Sequence, residues 1–153
     1  MPKIDFGKAA VRTASNYPPD LKKAVEGREK TVLGDVAGLT QFGVNLTRLR
    51  PGAASSLRHW HENEDEFVYM VEGELWLVEN DKAEVLLRPG EAAGFKAGVP
   101  NGHMLINRSA RDAVYLEIGT RASSERAHYP DHDLAFERGP DGVKVTRKNG
   151  EPY

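Results

Sequence analysis

The pattern that most restricts the fold is a series of short β-type segments separated by glycine, proline and other turn residues. The segments are FGVNLTRLR at 42–50, EFVYMVEG at 66–73, ELWLVEN at 74–80, AEVLLR at 83–88, and EAAGF, HMLIN and AVYLEIG within 91–119. Turn signals recur about every eight to twelve residues, which is typical of an all-β barrel or sandwich. One short N-terminal helix is predicted in PPDLKKAVEG, with Asp20 as its cap and Gly27 at its end.

Several of these segments, notably FVYMV and LWLV, carry apolar residues at both alternating positions. Successive side chains of a strand point to opposite faces, so such strands are predicted to be buried on both faces. In a small all-β domain one face packs inside and the other is available for a subunit contact. A homodimer is therefore expected.

The chain is predicted to form a single domain over residues 1–153, because no internal repeat or linker divides it. Residues 120–153 are more polar and form a predicted C-terminal extension. Within this extension, RASSERAHYPDHD is interpreted as a surface loop, and VKVTRKNGEPY as a short strand and a free end.

Composition excludes several classes of function. The 21 basic and 23 acidic residues leave a formal charge of −2, so nothing electrostatic indicates nucleic acid or an anionic membrane as a partner. The chain has no cysteine, which excludes disulfides, thiolate zinc sites, iron–sulfur clusters and cysteine nucleophiles. No segment has the apolar length of a signal peptide or a membrane span, and a cytoplasmic protein is expected.

The segment LRHWHENEDEFVYMVEG at 57–73 contains the candidate metal ligands. In a strand, His59 and His61 would lie on one face with about 6.5 Å between their backbones. The turn-prone residues ENED then allow Glu66 to return to that face at the start of the next strand. Taken alone, H-x-H is more often a pair of exposed or hydrogen-bonded histidines than a metal site, so both interpretations remain open at this point.

The wider pattern resembles the cupin family, in particular its small single-domain "cupin 2" members. The first cupin motif corresponds to residues 52–73, from Gly52 through HWH and Glu66 to Gly73, with one extra residue before the first histidine. The second corresponds to 90–107, from Gly90 to Asn107. It departs from the family pattern at Lys96, which replaces a proline, and by two additional residues before the histidine at 103.

The resemblance implies a jelly-roll β-barrel that holds one divalent transition metal. The implied ligands are His59, His61, Glu66 and His103. Histidine and carboxylate ligands suit Fe, Mn, Co, Ni, Cu or Zn. The longer turn before His103 either displaces this residue from the metal or widens the mouth of the barrel.

The function implied by the resemblance is that of an enzyme that uses the metal as a Lewis acid on a small polar substrate. An isomerase, an epimerase or a lyase is preferred. The alternatives are a metal-dependent dioxygenase and a non-catalytic module that binds or senses a small molecule.

Four other residues are candidates for contact with the substrate. Arg48 and Lys96 are candidate substrate-binding cations, although both types of residue are more often solvated. Tyr115 and Glu117 alternate along AVYLEIG, which is compatible with a proton donor and a base that line the cavity.

Overall fold

A computed structural model describes residues 3–153, which form thirteen strands, one short α-helix and two 3-10 segments. The strands are β1 Val11–Arg12, β2 Arg28–Val32, β3 Phe42–Leu49, β4 Trp60–His61, β5 Glu66–Glu72, β6 Leu75–Glu79, β7 Val85–Leu87, β8 Ala92–Phe95, β9 His103–Ile106, β10 Ala113–Thr120, β11 Glu125–His128, β12 Ala135–Gly139 and β13 Gly142–Thr146. The helix α1 is Leu33–Val36, and the 3-10 segments are Phe6–Lys8 and Pro19–Val25. The all-β prediction is confirmed.

The strands form three antiparallel sheets in a jelly-roll arrangement. The largest sheet has the order β1-β2-β3-β10-β5-β8, and the others are β13-β12-β11-β4 and β7-β6-β9. A backbone bridge between His59 and His103 joins the two smaller sheets. Buried side chains of the largest sheet, among them Leu49 and Met70, pack against those of β6, β7 and β9, among them Leu75 and Leu105. This core includes Val68, Leu105 and Tyr115, which also line a cavity together with polar residues.

Alternation along β5 separates the interior of the barrel from its outer surface. The inward side chains are those of Glu66, Val68 and Met70. The outward ones are those of Phe67, Tyr69 and Val71, which are all exposed. Antiparallel register carries the same division into β10, where Glu117 pairs with Val68.

The turn between β5 and β6 depends on Gly73, as the strand boundaries predicted. Its φ of 72° lies in the left-handed region. A Cβ atom at this position would lie 2.6 Å from the carbonyl oxygen of Asp112. Both the backbone conformation and the close approach of the neighbouring chain therefore require glycine.

The predicted N-terminal helix is a 3-10 segment and not an α-helix. It covers Pro19–Val25, Pro18 occupies the N-cap position, and no side chain caps it, so the predicted role of Asp20 is wrong. Two prolines at its start remove backbone donors, and Leu21 and Ala24 pack against a second hydrophobic cluster. No helix within residues 3–153 is both long and apolar enough to cross a membrane.

The C-terminal extension is more regular than predicted. The supposed surface loop contains β11, which pairs with both β12 and β4. The strand escaped detection because Glu125, Arg126 and His128 are polar, and only Ala127 is apolar. Its alternation is real, since Glu125 and Ala127 are buried while Arg126 is exposed. Beyond β11, β12 and β13 form a hairpin.

Candidate metal centre and its cavity

The two histidines of the H-x-H segment point to one face. His59 immediately precedes β4 and His61 ends it, and their Nε2 atoms lie 3.0 Å apart. Trp60, between them, points the other way and stacks on His128 with 4.2 Å between ring centroids. This is the alternation expected of strand residues that are two positions apart.

Glu66 joins the histidines from the start of β5. Its Oε1 lies 3.5 Å from Nε2 of His61, and its Oε2 lies 3.6 Å from Nε2 of His59. The ligand atoms of these three residues all fall within 4.8 Å of one another. Metal–ligand distances of about 2.0–2.2 Å allow one ion to reach donors at this spacing.

His103 reaches the same cluster despite the longer turn that precedes it. Its backbone pairs with that of His59 through two hydrogen bonds of 3.2 and 2.9 Å. Its Nε2 lies 2.7 Å from Oε2 of Glu66. Because the pairing with His59 sets the position of His103, the two additional residues enlarge the turn without moving the ring away from the cluster.

Backbone carbonyl groups orient two of the imidazole rings. Nδ1 of His59 lies 2.9 Å from the carbonyl oxygen of Leu57, and Nδ1 of His103 lies 3.1 Å from that of Asn101. A carbonyl oxygen can only accept, so each Nδ1 donates the hydrogen bond and carries the proton. Each Nε2 therefore keeps a lone pair directed at the cluster, which is the tautomer a metal ligand requires.

Glu125 supports the third imidazole. Its carboxylate is fully buried, with Oε1 3.6 Å from Nδ1 of His61. Backbone N–H groups of Glu62, Asn63 and Arg126 donate to this carboxylate at 2.9, 3.1 and 2.9 Å. These three donors fix the carboxylate beside the ring, at ion-pairing distance but without a hydrogen bond to Nδ1 of His61.

A second group of possible ligands consists of His61, Glu64 and Glu125. Glu64 is already engaged, because it accepts from the backbone N–H of Ala122 at 2.9 Å and pairs with Arg138. Glu125 is likewise occupied by backbone donors. This group therefore supports the first cluster and does not form a separate site.

The ionisation of the cluster suits metal binding. Burial lowers the pKa of His59 to about 4, so the ring is neutral at neutral pH. Burial alone would raise the pKa of Glu66, but the close contacts with His103 and His61 outweigh it and hold this pKa well below its ordinary value. Neutral imidazoles and an ionised carboxylate are the forms that bind metals. Burial alone would lower the pKa of His61, but the close contact with Glu66 and the charges of Glu66 and Glu125 outweigh it and raise this pKa, so an incoming ion competes with a proton there. Three histidine nitrogens and one carboxylate fit a divalent transition metal.

We predict that Glu125→Gln weakens metal binding while leaving all four candidate ligands in place. Loss of the negative charge beside Nδ1 makes the His61 ring a poorer donor and relaxes its orientation, and comparable changes cost about 10- to 100-fold in metal affinity. Competition with a fluorescent zinc chelator measures this change. Glu137→Gln, on the exposed face of β12, is the control, and equal affinities of the two variants would contradict the role of Glu125.

A cavity of about 260 Å³ adjoins the cluster. The ligand side chains form one wall, and the inner face of the largest sheet forms the other. The polar residues on that second wall are Arg28 and Lys30 of β2 and Tyr115 and Glu117 of β10. The cavity thus places titratable groups opposite the candidate metal centre.

Glu117 is the focus of a hydrogen-bond network on that wall. Nζ of Lys30 donates to its Oε1 at 2.6 Å, and Nδ2 of Asn45 approaches the same oxygen at 3.4 Å. The hydroxyl of Tyr115 lies 3.5 Å from its Oε2. Burial, with the nearby charge of Glu117, raises the pKa of Tyr115 well above its ordinary value. This hydroxyl therefore stays protonated and can act as a donor.

Comparison with known proteins assigns the fold to a family. The model of the Cupin domain matches residues 45–119. A sugar phosphate isomerase of the cupin superfamily, from Silicibacter pomeroyi, is 47% identical, with a TM-score of 0.94 over 99% of this chain and 96% of that one. This chain belongs to the cupin family.

Two further cupin-like structures extend the comparison. A protein from Acidithiobacillus ferrooxidans, provisionally assigned as a sugar phosphate isomerase, is 27% identical with a TM-score of 0.74, over 80% of this chain and 77% of that one. A polyketide cyclase from Streptomyces resistomycificus is 18% identical with a TM-score of 0.64, over 78% and 79% of the two chains. The latter shows the shared fold alone. No curated protein matches the sequence.

In this cupin the two cations predicted to bind substrate lie outside the cavity that contains Glu117. Arg48 pairs across the sheet with Val114 on its outer face, and its half-exposed guanidinium lies 3.1 Å from Asp112. The side chain of Arg48 therefore points away from this cavity. Lys96 is exposed and lines a neighbouring cavity, also of about 260 Å³. The cluster borders both this cavity and the first one.

Four residues near the site were not predicted from the sequence. Arg28 and Lys30 lie on β2, a strand that contains a single apolar residue at its end and so gave little signal. Glu125 lies on the equally polar β11. Phe95 stacks on His103 with 3.5 Å between ring centroids and separates the two cavities. Charged residues are consecutive in REKTV and in ERAH, so neither segment shows the apolar–polar alternation that would have indicated a strand for the first three.

Proposed function

We propose that this cupin is a divalent-metal-dependent isomerase that interconverts an aldose phosphate and a ketose phosphate. The observation that carries the proposal is the position of Glu117, a carboxylate held by Lys30, in the same cavity as the three imidazoles and Glu66. The 47% identity to a sugar phosphate isomerase over nearly the whole chain supports the choice of substrate class.

The proposed metal ligands are His59, His61, Glu66 and His103. When bound, a divalent ion acts as a Lewis acid that polarises a carbonyl or hydroxyl oxygen. The identity of the ion, among Fe, Mn, Co, Ni, Cu and Zn, follows from metal analysis of the purified protein.

Glu117 is the proposed base. It takes the proton from the carbon next to the carbonyl group and returns it to the former carbonyl carbon, while the hydroxyl proton moves to the former carbonyl oxygen. Substrate and product thus have the same composition, and no other reactant is consumed. Lys30 holds Glu117 in place, and the protonated hydroxyl of Tyr115 donates a hydrogen bond toward it.

The test is proton NMR of metal-loaded protein in D₂O with a set of aldose phosphates and the matching ketose phosphates. We expect interconversion, with deuterium incorporated at the carbon that receives the proton. Epimerisation or elimination in place of interconversion would show that the same base serves an epimerase or a lyase. Oxygen consumption that depends on substrate would establish a dioxygenase instead, and tight binding without any reaction would establish a binding module.

We further propose a homodimer that forms through an outer apolar face of the largest sheet. This face is defined by Val44, Leu46, Phe67, Tyr69, Val71, Leu116 and Ile118, which the antiparallel register places side by side. Phe67, Tyr69 and Val71 are between 41% and 46% exposed. Apolar residues arranged contiguously on one sheet face are typical of subunit contacts.

Introduction of a charge into this face is expected to produce a monomer. In Tyr69→Glu the interface would have to bury a carboxylate without a partner. The free-energy cost of that burial exceeds the gain from the apolar contacts of a small interface. Light scattering coupled to size exclusion measures the mass. Val143→Glu, at an exposed apolar position of β13, is the matched control and should leave the mass unchanged. A monomeric wild type would contradict the homodimer.

A further inference from the structure

Arg28 lies inside the cavity without a role in the proposed chemistry. It begins β2 and pairs with Leu49 on the inward side of β3, two residues before Lys30 on the same face. Nη1 donates to the carbonyl oxygen of Ser55 at 2.6 Å, and Nη2 reaches that of Ala14 at 3.5 Å. These backbone contacts fix the plane of the guanidinium against the cavity wall.

The charge of Arg28 has no counter-ion within residues 3–153. No carboxylate oxygen of this part of the chain lies within 4.0 Å of its guanidinium, whereas Lys30, on the same face, is paired with Glu117. Nε of Arg28 is buried and has no hydrogen-bond partner there. A partly buried cation without a counter-ion is costly unless a ligand supplies the missing negative charge.

The surroundings of Arg28 supply further donors, and the carboxylates that line the same cavity, those of Glu66 and Glu117, lie beyond ion-pairing distance of its guanidinium. Hydroxyl groups of Tyr17, Ser55 and Ser56 line the same cavity. Burial raises the pKa of Tyr17, which keeps its hydroxyl protonated. Arginine presents its N–H groups in a planar fork that matches two oxygens of a phosphate group.

We propose that Arg28 is the residue that binds the phosphate group of the substrate and so selects phosphorylated over neutral sugars. This inference rests on the proposed function for the sugar that reacts. That the ligand carries a phosphate group is inferred from Arg28 and its surroundings alone. Side chains two apart on a strand are separated by about 6.5 Å at the backbone. Lys30, which holds Glu117, is two residues from Arg28 on the same strand. A phosphate group bound by Arg28 therefore lies beside the carbon that Glu117 deprotonates and not at it.

The test measures equilibrium binding of inorganic phosphate to metal-loaded protein by calorimetry. Arg28→Met is compared with wild type and with Arg48→Met, which removes an arginine from the outer face of the neighbouring strand. We expect Arg28→Met to weaken phosphate binding about 10- to 100-fold, the range for loss of charge-assisted hydrogen bonds. Arg28→Lys, which keeps the charge but loses the fork, is expected to lie between, and Arg48→Met should match wild type.

A second measurement needs no variant and applies if Arg28→Met does not fold. Phenylglyoxal modifies accessible arginines of the wild-type protein, and peptide mapping by mass spectrometry reports the rate at each one. Phosphate is expected to slow the modification of Arg28 selectively. Protection that is absent at Arg28, or equal at every arginine, would overturn the proposal.

The outcomes separate this inference from the proposed function. Phosphate binding that depends on Arg28, without isomerisation of any sugar phosphate, supports the anion site and refutes the isomerase. Isomerisation by Arg28→Met with an unchanged KM and an unchanged Kd for phosphate supports the isomerase and refutes the role of Arg28. Phosphate that binds only through the metal gives the same affinity in Arg28→Met as in wild type, which likewise refutes it.

Discussion

Glu66→Ala is expected to abolish metal binding. The Glu66 carboxylate is the only acidic side chain within hydrogen-bonding or ion-pairing distance of all three histidines in the described residues, at 3.6 Å from His59, 3.5 Å from His61 and 2.7 Å from His103. Its loss removes one of the four proposed ligands and the negative charge that would offset the ion. Loss of a residue that only hydrogen-bonds a metal ligand lowers metal affinity about 10- to 100-fold. We therefore expect loss of a ligand itself to lower metal affinity by more than about 100-fold.

Two measurements test this expectation. Elemental analysis of protein purified without chelators should give about one divalent ion per wild-type chain and almost none for Glu66→Ala. Thermal unfolding adds a second readout, because a ligand that binds only the folded state raises the melting temperature by an amount that grows with the logarithm of its affinity. Chelator should therefore lower the melting temperature of wild type and leave that of Glu66→Ala unchanged.

Glu72→Gln is the matched control, since Glu72 is the exposed last residue of the same strand. His132→Ala serves as the control for loss of a histidine outside the cluster. Full metal content in Glu66→Ala, or equal losses in the variant and the controls, would show that the cluster of Glu66 is not the metal site.

Glu117→Gln is expected to remove turnover while the metal stays bound. Glutamine keeps the shape of the side chain and can still contact Lys30 and Asn45, but it cannot accept a proton from carbon. Removal of a positioned base lowers kcat by about 10²- to 10⁴-fold. We expect the loss in kcat, with a small change in KM, because Glu117 contributes to the transition state more than to the ground-state complex.

Isotope exchange gives the sharper measurement for Glu117. The variant should bind sugar phosphate yet incorporate no deuterium from D₂O, and its metal content should equal that of wild type. Glu137→Gln, far from the cavity on β12, controls for loss of an acidic residue. Normal exchange in Glu117→Gln would assign the base to another group, whereas lost exchange together with lost metal would indicate a structural effect.

The local part of the candidate site could be predicted from the sequence. His59 and His61 share a face because they are two residues apart in an extended segment, and Glu66 follows after a turn of four polar residues. Gly73 marks the end of β5 because its backbone conformation excludes other residues. Such relations depend on a few consecutive residues, whose dihedral angles and alternation determine them.

Arg48 and Arg28 show where prediction from sequence fails. Apolar residues occupy both alternating positions around Arg48, with Leu46 outward and Leu49 inward, so the sequence does not indicate which face is interior. Register with β10 decides this, and it places Arg48 outside and Arg28 inside. A shift of one residue in a strand exchanges its two faces, so only the pairing determines which arginine reaches the cavity.

Glu125 and His103 depend on contacts that are still more distant in sequence. Glu125 meets His61 only because β11 pairs with β4, and nothing in the polar segment ERAH indicates that pairing. The departure of the second motif from the family pattern left the position of His103 open. The backbone bridge to His59 decides it, since paired strands set the position of a side chain whatever the length of the preceding turn.

The sequence by itself determined that this protein is an all-β cupin with candidate ligands at His59, His61 and Glu66. The all-β prediction rests on alternation and turn residues, whereas the family and the candidate ligands rest on the resemblance of two short motifs to those of cupins. Both kinds of evidence are local properties of the chain. Only the tertiary structure decided that His103 joins the cluster and that Glu125 lies beside His61. It also decided that Glu117 and Arg28 line the same cavity as the cluster. The physical reason is that strand register and sheet packing join residues far apart in the chain, and the pattern within one strand does not specify its partner.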